Sequence, residues 1–333
     1  MRIIISSCLV LFIVLGCVDD SKERAKKTKI IPSAVFMPIE KPAFNVDSAY
    51  VYIVKQVAFG PRVPGTNAHL KAVEYFEKQF LKWNWQTTVQ LGKSTTFNGK
   101  KIAIKNIIAR SDTINKNRIL LMAHWDSRPF ADRDEMRKTE AIDGANDGAS
   151  GVGVLMEIAR AISSSDIQPK VGIDIILFDA EDYGQPSGMM VDQAGDTWCL
   201  GSQYWAKNLS DNYIRPKYGI LLDMVGAKDA VFPKEGVSMQ YNPQLVNKVW
   251  YLASKLGYGK YFIQEEAKGG ITDDHLYVNR IANIPSIDII HYDPYQGDFG
   301  SFHHRHSDDI DIIDKSTLKV VGQVIMETIY REK

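Results

Sequence analysis

Three acid-bearing segments of this chain have residue types and spacing suited to chemistry: His124-Trp125-Asp126-Ser127, Gly144-Ala145-Asn146-Asp147-Gly148-Ala149, and Phe178-Asp179-Ala180-Glu181-Asp182. Each follows or lies beside a run that reads as a buried β-strand. With Asp223 and the late cluster Phe302-His303-His304-Arg305-His306, they offer the carboxylate and imidazole groups that a zinc ion accepts. Carboxylates are rarely buried unless paired or metal-bound, so a buried strand running into Glu-Asp calls for a cation. Two adjacent acids also permit a division of labour, in which one ligates and the other moves protons.

Taken singly these residues are ambiguous. Asp147 precedes a helix, where an acid commonly satisfies free N–H groups. Asp182-Tyr183-Gly184 has the composition of a turn. Asp223 follows Leu221-Leu222 on a buried run and, without a metal, needs a cationic or amide partner. Thr272-Asp273-Asp274-His275 is a second acid pair in a loop after glycine. Three histidines within residues 303–306 imply one ligand, and their spacing does not select it.

The elements that must position these groups follow from periodicity. Asp47 is expected to cap a helix running to Phe59, which Gly60-Pro61-Arg62 ends. A second helix spans Asn67–Trp83, and antiparallel strands are expected near Gln86–Leu91 and Lys101–Ala109. Strand–helix alternation then begins. Strands are expected at Arg118–Ala123, Gly172–Phe178, Tyr218–Val225 and Ser286–Ile290, with helices at Ser150–Ile162, from Ser202, at Gln244–Leu256 and at Lys315–Tyr330. This order predicts an α/β fold: one domain with an open, mostly parallel twisted sheet and helices on both faces. Ligands on such sheets bind outside the carboxyl ends of the strands, where His124, Glu181-Asp182 and Asp223 all fall.

The 333 residues contain 40 basic and 40 acidic side chains, so no basic footprint argues for nucleic acid. Arg2 precedes an apolar run from Ile3 to Leu15, too short to span a membrane as a folded helix and suited to a signal peptide. The run ends Val14-Leu15-Gly16-Cys17, which resembles a bacterial lipobox with Cys17 as the lipidated residue. Residues 1–17 are therefore expected to be a lipoprotein signal, 18–45 a polar tether and 46–333 the catalytic domain. The protein is expected to be exported, held to the cell envelope by its lipid alone, and monomeric. Cys199 is the one cysteine left in the domain, so no internal disulfide forms.

In combination, the motifs resemble the zinc exopeptidase-like fold shared by bacterial aminopeptidases and glutaminyl-peptide cyclotransferases. The resemblance runs from Gly60-Pro61-Arg62 to the closing helix. That group's order is His-x-Asp, Asp in a Gly-Ala-x-Asp loop, Glu-Glu or Glu-Asp, Asp, Asp-His, and His-Thr-x-x-Asp. Here it is matched by His124-Trp125-Asp126, Asp147, Glu181-Asp182, Asp223, Asp274-His275 and His304-Arg305-His306-Ser307-Asp308. Arg305 departs from the usual Thr.

The resemblance implies zinc held by Asp147, Asp182 and His304, with Glu181 as proton carrier. Aminopeptidases bind two zincs, and all five of their ligands have counterparts here: Asp147 bridging, His124 and Asp223, then Asp182 and His304. His124, Asp274 and His275 thus fall at a second metal position or behind the first. Aminopeptidases resemble Ser-Asp-His at the later loop, whereas cyclases carry Asp-Asp-His, as Asp273-Asp274-His275 does. In cyclases the extra acid shares a proton with the counterpart of Asp223, which makes that residue a poor zinc ligand and leaves one zinc per chain. The reading is therefore a glutaminyl cyclase that turns N-terminal Gln of a peptide or protein into pyroglutamate, with Asp223 and Asp273 orienting the amine. Phe299, Ile271, His303 and Trp198 are the expected pocket walls, His303 standing where animal cyclases have Trp. The two-zinc aminopeptidase is the competing reading.

Overall fold

The architecture was analysed in a computed structural model that describes residues 36–189 and 196–333. Helices α1 (Val46–Val57) and α2 (Asn67–Lys82) precede strands β1 (Gln86–Thr95), β2 (Lys101–Arg110) and β3 (Arg118–His124). Helix α3 (Ala149–Ser163), β4 (Gly172–Phe178), α4 (Leu200–Lys207) and β5 (Gly219–Asp223) follow. Next come β6 (Phe232–Lys234), α5 (Gly236–Tyr241), α6 (Pro243–Lys255) and β7 (Phe262–Glu266). The order closes with α7 (Asp274–Tyr277), β8 (Ser286–Ile290) and α8 (Lys315–Tyr330).

Six strands form one sheet in the order β1-β2-β4-β3-β5-β8. The β4-β3-β5-β8 core is parallel, and β1 and β2 add an antiparallel edge. Both faces are covered, as the alternation of side chains along each strand shows. Ile119, Leu121 and Ala123 of β3 enter one core cluster, while Leu120 and Met122 enter another on the opposite face. Strand β4 divides the same way, with Ile173, Ile175 and Leu177 against Ile176 and Phe178.

Several boundaries differ from expectation. Helix α1 is capped by Asn45, whose side chain accepts the Ser48 N–H, rather than by Asp47. It ends at Val57, and Ala58, Phe59 and Gly60 donate their N–H groups to the carbonyls of its last turn. The compact unit begins at Pro38, so residues 38–45, read as the end of the tether, belong to it. Phe44 is buried, Lys41 pairs with Glu327 at 2.6 Å, and the Asn45 N–H donates to Glu157 at 2.9 Å. Strand β5 stops at Asp223 because Met224 turns into the left-handed region at φ 48°. Strands β6 and β7, a parallel pair in a separate small sheet, were not anticipated. The signal segment, Cys17 and residues 18–35 of the tether lie outside the described residues.

Candidate active site

The parallel strands end on one side of the sheet, and their ends line a cleft of about 590 Å³. Asp147, Glu181, Asp182, Asp223, Asp273 and His304 all face it, and so do the expected walls Trp198, Ile271, Phe299 and His303. His124, Asp274 and His275 do not line the cleft; they are buried behind it. Four non-glycine residues beside the cleft hold left-handed backbones: Ala180, Cys199, Met224 and His304. Such conformations are disfavoured for side-chain-bearing residues and tend to persist at functional sites. At Gly184, a Cβ would run into the Trp198 indole, so glycine there is what lets this wall stand where it does.

The loop carrying Asp147 is held by two groups distant in sequence. Asp308 accepts the Asn146 N–H at 2.7 Å and the Asp147 N–H at 3.1 Å. Arg62, fully buried, donates to the carbonyls of Trp125, Asp143 and Gly144. The Glu181-Asp182 corner is held by Asp126, which accepts the Glu181 N–H at 3.0 Å and the Asp182 N–H at 3.3 Å. Asp126, next but one to His124, therefore fixes the two acids.

Those acids sit in opposed electrostatic surroundings. Burial pushes the Glu181 carboxyl well above its ordinary range; His124 opposes this, and the charges of Asp273, Asp182 and Asp274 reinforce it. At Asp182 burial also acts upward, but His304 and Arg128 outweigh it and hold the carboxyl below the usual range. The Arg128 guanidinium lies 3.0 Å from Asp182 Oδ1 and also donates to Asp132 and to the Asp182 carbonyl. Adjacent carboxyls pushed apart in this way are suited to different tasks, one protonatable and one constantly anionic.

The residues present fit a metal ion. Asp182 Oδ2 is buried with no hydrogen-bond partner. Its other oxygen lies 3.3 Å from His304 Nε2, while His304 Nδ1 faces Asp132 at 3.5 Å. A carboxylate behind one ring nitrogen is the arrangement that directs the other at a metal. Asp147 is pushed up by burial and by the Asp182 charge, a repulsion that a cation would relieve. Asp147, His303 and His304 also bring donor atoms within 4.8 Å of one another. The Arg133 guanidinium donates to His303 Nδ1 at 2.8 Å, so the hydrogen of the neutral His303 ring is on Nε2 and neither nitrogen is free to ligate. His303 instead stacks between His304 and Phe299 as a wall. His306 is turned away to Asp134. A second group is His124 with Asp147 and Asp223, His124 Nε2 lying 3.0 Å and 3.1 Å from the two carboxylates.

Several contributors were not anticipated: Arg128 and Asp132 behind the ligands, Cys199, whose thiol donates to Glu181 Oε1 at 3.0 Å, and Glu235 and Asp288 around His275. Of these, Asp288 alone carries a sequence signal, because it stands within the apolar run Ile287-Asp288-Ile289-Ile290 and a charge there needs a partner.

Comparison with known proteins agrees with this geometry. A Zn-dependent exopeptidase from Parabacteroides distasonis and the glutaminyl cyclase of Tannerella forsythia each superpose with TM-score 0.84 at 49% identity, covering 88% of this chain and 100% of theirs. Aminopeptidase YwaD of Bacillus subtilis is 28% identical over 220 residues, 64% of this chain; the chain spans only 40% of that protein's length. The sequence pattern of peptidase family M28 matches residues 106–329, more than half the chain, and the chain belongs to that family.

Proposed function

We propose that the protein is a zinc-dependent glutaminyl-peptide cyclotransferase, converting the N-terminal Gln of peptides or proteins to pyroglutamate with release of ammonia. The observation that carries the reading is the crowding of carboxyls around Asp223. Asp273 shares the cleft with it and is pushed up to about 6, by burial first and by the Asp223 charge next. A carboxyl occupied in this way is a poor ligand for a second ion, which supports one zinc rather than two. The likeness to the Tannerella cyclase over nearly the whole domain supports the same reading.

Asp147, Asp182 and His304 would hold the ion. When bound, zinc supplies Lewis acidity to the γ-carbonyl oxygen of the substrate Gln. Glu181 takes a proton from the α-amine as its nitrogen attacks the carbonyl carbon of the side-chain amide, and returns it to the departing amide nitrogen, which leaves as ammonia. A carboxyl with a raised proton affinity suits both halves of that exchange. Asp223 and Asp273 orient the amine. Trp198, Ile271 and Phe299 keep the Gln folded on itself, and holding the attacking and receiving atoms together can supply several kcal/mol of the barrier reduction. The enzyme would be exported, anchored through Cys17 and monomeric. No helix among the described residues is long and apolar enough to cross a membrane.

The test is zinc content per chain together with ammonia release from Gln-peptides. One tightly bound zinc, removed by chelation and restored with activity by one equivalent, is expected. Two stoichiometric zincs, both needed to cleave the first peptide bond, refute the cyclase in favour of the aminopeptidase.

A further inference from the structure

The cleft wall carries a hydrogen-bond donor that the mechanism above does not use. The His303 ring is packed on both faces, its centroid 3.7 Å from that of His304 and 4.6 Å from that of Phe299. Only the ring edge is left for polar contacts, and one end of that edge is taken. Asp298 grips the Arg133 guanidinium through both carboxylate oxygens, at 2.8 and 2.6 Å, and the same Nη1 donates to His303 Nδ1 at 2.8 Å. Asp298 is fixed in turn, accepting the Phe299 N–H on Oδ1 at 2.9 Å and the Asp293 N–H on its carbonyl at 2.8 Å. A guanidinium has hydrogens to give and no lone pair to offer, so Nδ1 accepts and the ring hydrogen sits on Nε2. That Nε2 meets no acceptor among the described residues, and it is not enclosed; it opens on the cleft that His303 lines. A neutral ring held in one tautomer, with an unused N–H at the cleft, is a preorganised donor.

Its place limits what it can meet. One ring nitrogen of His303 lies within 4.8 Å of donor atoms of Asp147 and His304, two of the residues assigned to the ion. The α-amine and the leaving nitrogen of a substrate Gln bring hydrogens, which an N–H cannot accept. Two oxygens remain, that of the side-chain amide and that of the first peptide bond. The side-chain amide oxygen is the one that the cyclase reading brings to Asp147 and His304, and it has two lone pairs. As the α-amine nitrogen attacks the amide carbon, negative charge gathers on this oxygen. A donor placed there is bound more strongly in the transition state than in the ground state, and so acts on kcat.

We propose that His303 is a catalytic residue: its Nε2–H donates a hydrogen bond to the side-chain amide oxygen of the substrate Gln, and Arg133, held by Asp298, keeps the ring in the tautomer that permits it. This rests on the cyclase reading. No proton changes hands at His303, and Glu181 remains the carrier.

The experiment compares zinc-loaded wild type with His303→Phe and Arg133→Met. It measures zinc content, kcat and KM for ammonia release from Gln-peptides, and NMR spectra of the imidazole nitrogens. His303→Phe keeps a ring between Phe299 and His304 and leaves the Arg133–Asp298 pair intact, but has no N–H. It should lower kcat about 10- to 100-fold, the range for one hydrogen bond to a charged group, with zinc unchanged and KM within about threefold. If Phe does not fit the site, His303→Leu carries the same expectation. The His303 signals, assigned by their loss in the variant, should show the hydrogen on Nε2 in wild type and a mixture of tautomers in Arg133→Met. An unchanged kcat, a raised KM at constant kcat, zinc loss from both His303 variants, or a wild-type hydrogen on Nδ1 each overturn this inference alone. An Arg133→Met spectrum identical to wild type overturns the part given to Arg133. A wild type that releases no ammonia overturns the cyclase reading, and this inference with it.

Discussion

Exchanging Glu181 for Gln separates the two adjacent acids, because the structure preserves everything about that side chain except its proton. Glu181 Oε1 accepts the Cys199 thiol at 3.0 Å, and a Gln carbonyl oxygen can do the same. The Glu181 N–H, given to Asp126 at 3.0 Å, is untouched. The amide therefore stays where the carboxyl stood but cannot carry a proton from amine to leaving group. Loss of general acid–base catalysis corresponds to a fall in kcat of roughly 10²- to 10⁴-fold, or about 2.7–5.5 kcal/mol of barrier. KM should change little, so kcat/KM falls in parallel. Zinc should be retained, because Asp147, Asp182 and His304 are unaltered. Asp182→Asn should fail differently. Arg128 keeps Asp132 and the Asp182 carbonyl, so the fold loses only on the order of 1–3 kcal/mol, while the ion loses an anionic ligand and dissociates. Metal analysis and ammonia release on both purified variants decide the matter. The reasoning is refuted if Glu181→Gln loses zinc while Asp182→Asn keeps it, or if Glu181→Gln turns over Gln-peptides normally.

Trp198 stacks parallel to His304 at 6.0 Å and lines the cleft, so Trp198→Ala should raise KM for Gln-peptides by about tenfold with zinc retained; an unchanged KM removes Trp198 from the pocket wall. Glu235 has its ordinary value of 4.5 depressed to about 2 in the fold, so its contribution to stability is present above about pH 4.5 and lost as pH falls toward 2. Denaturant midpoints followed through that window should fall less steeply for Glu235→Gln than for wild type, and equal slopes count against the assignment. Cys17→Ala should move the protein out of the detergent fraction or block its processing; unchanged fractionation and mature mass mean that the attachment is not lipid.

The strongest elements were legible at single-residue precision. Strands β4 and β8 and helix α8 span the ranges expected from the chain alone, because the two strands are short, mostly apolar runs and the helix repeats apolar residues at helical spacing (Leu318, Val321, Ile325, Ile329) behind the Asp314 cap. Strands β6 and β7 were missed for the converse reason. Strand β6 is three residues long with Pro233 at its centre, and only Phe262 of β7 is buried. Period-two patterning needs more residues than these to register. The cap of α1 was misplaced because Asn45 and Asp47 are both capping residues, and only the backbone conformation separates them.

At the site, the sequence by itself determined which acids would stand at strand ends, because a strand's length and the polarity at its end are local properties. Asp147, Asp273 and the walls Trp198, Ile271, Phe299 and His303 were implied by the family resemblance rather than by strand ends, and the fold brings them to the same cleft as Glu181, Asp182 and Asp223. Which histidine could serve as ligand was a tertiary decision. Arg133, 170 residues away along the chain, occupies His303; Asp134, 172 residues away, occupies His306; Asp132 and Asp182 flank His304. Partners such as Arg128 with Asp182, or Glu235 with His275, were likewise invisible until the fold closed. Hydrogen bonds and ion pairs act over a few tenths of an ångström, and no spacing along the chain specifies such distances between segments that meet only in three dimensions.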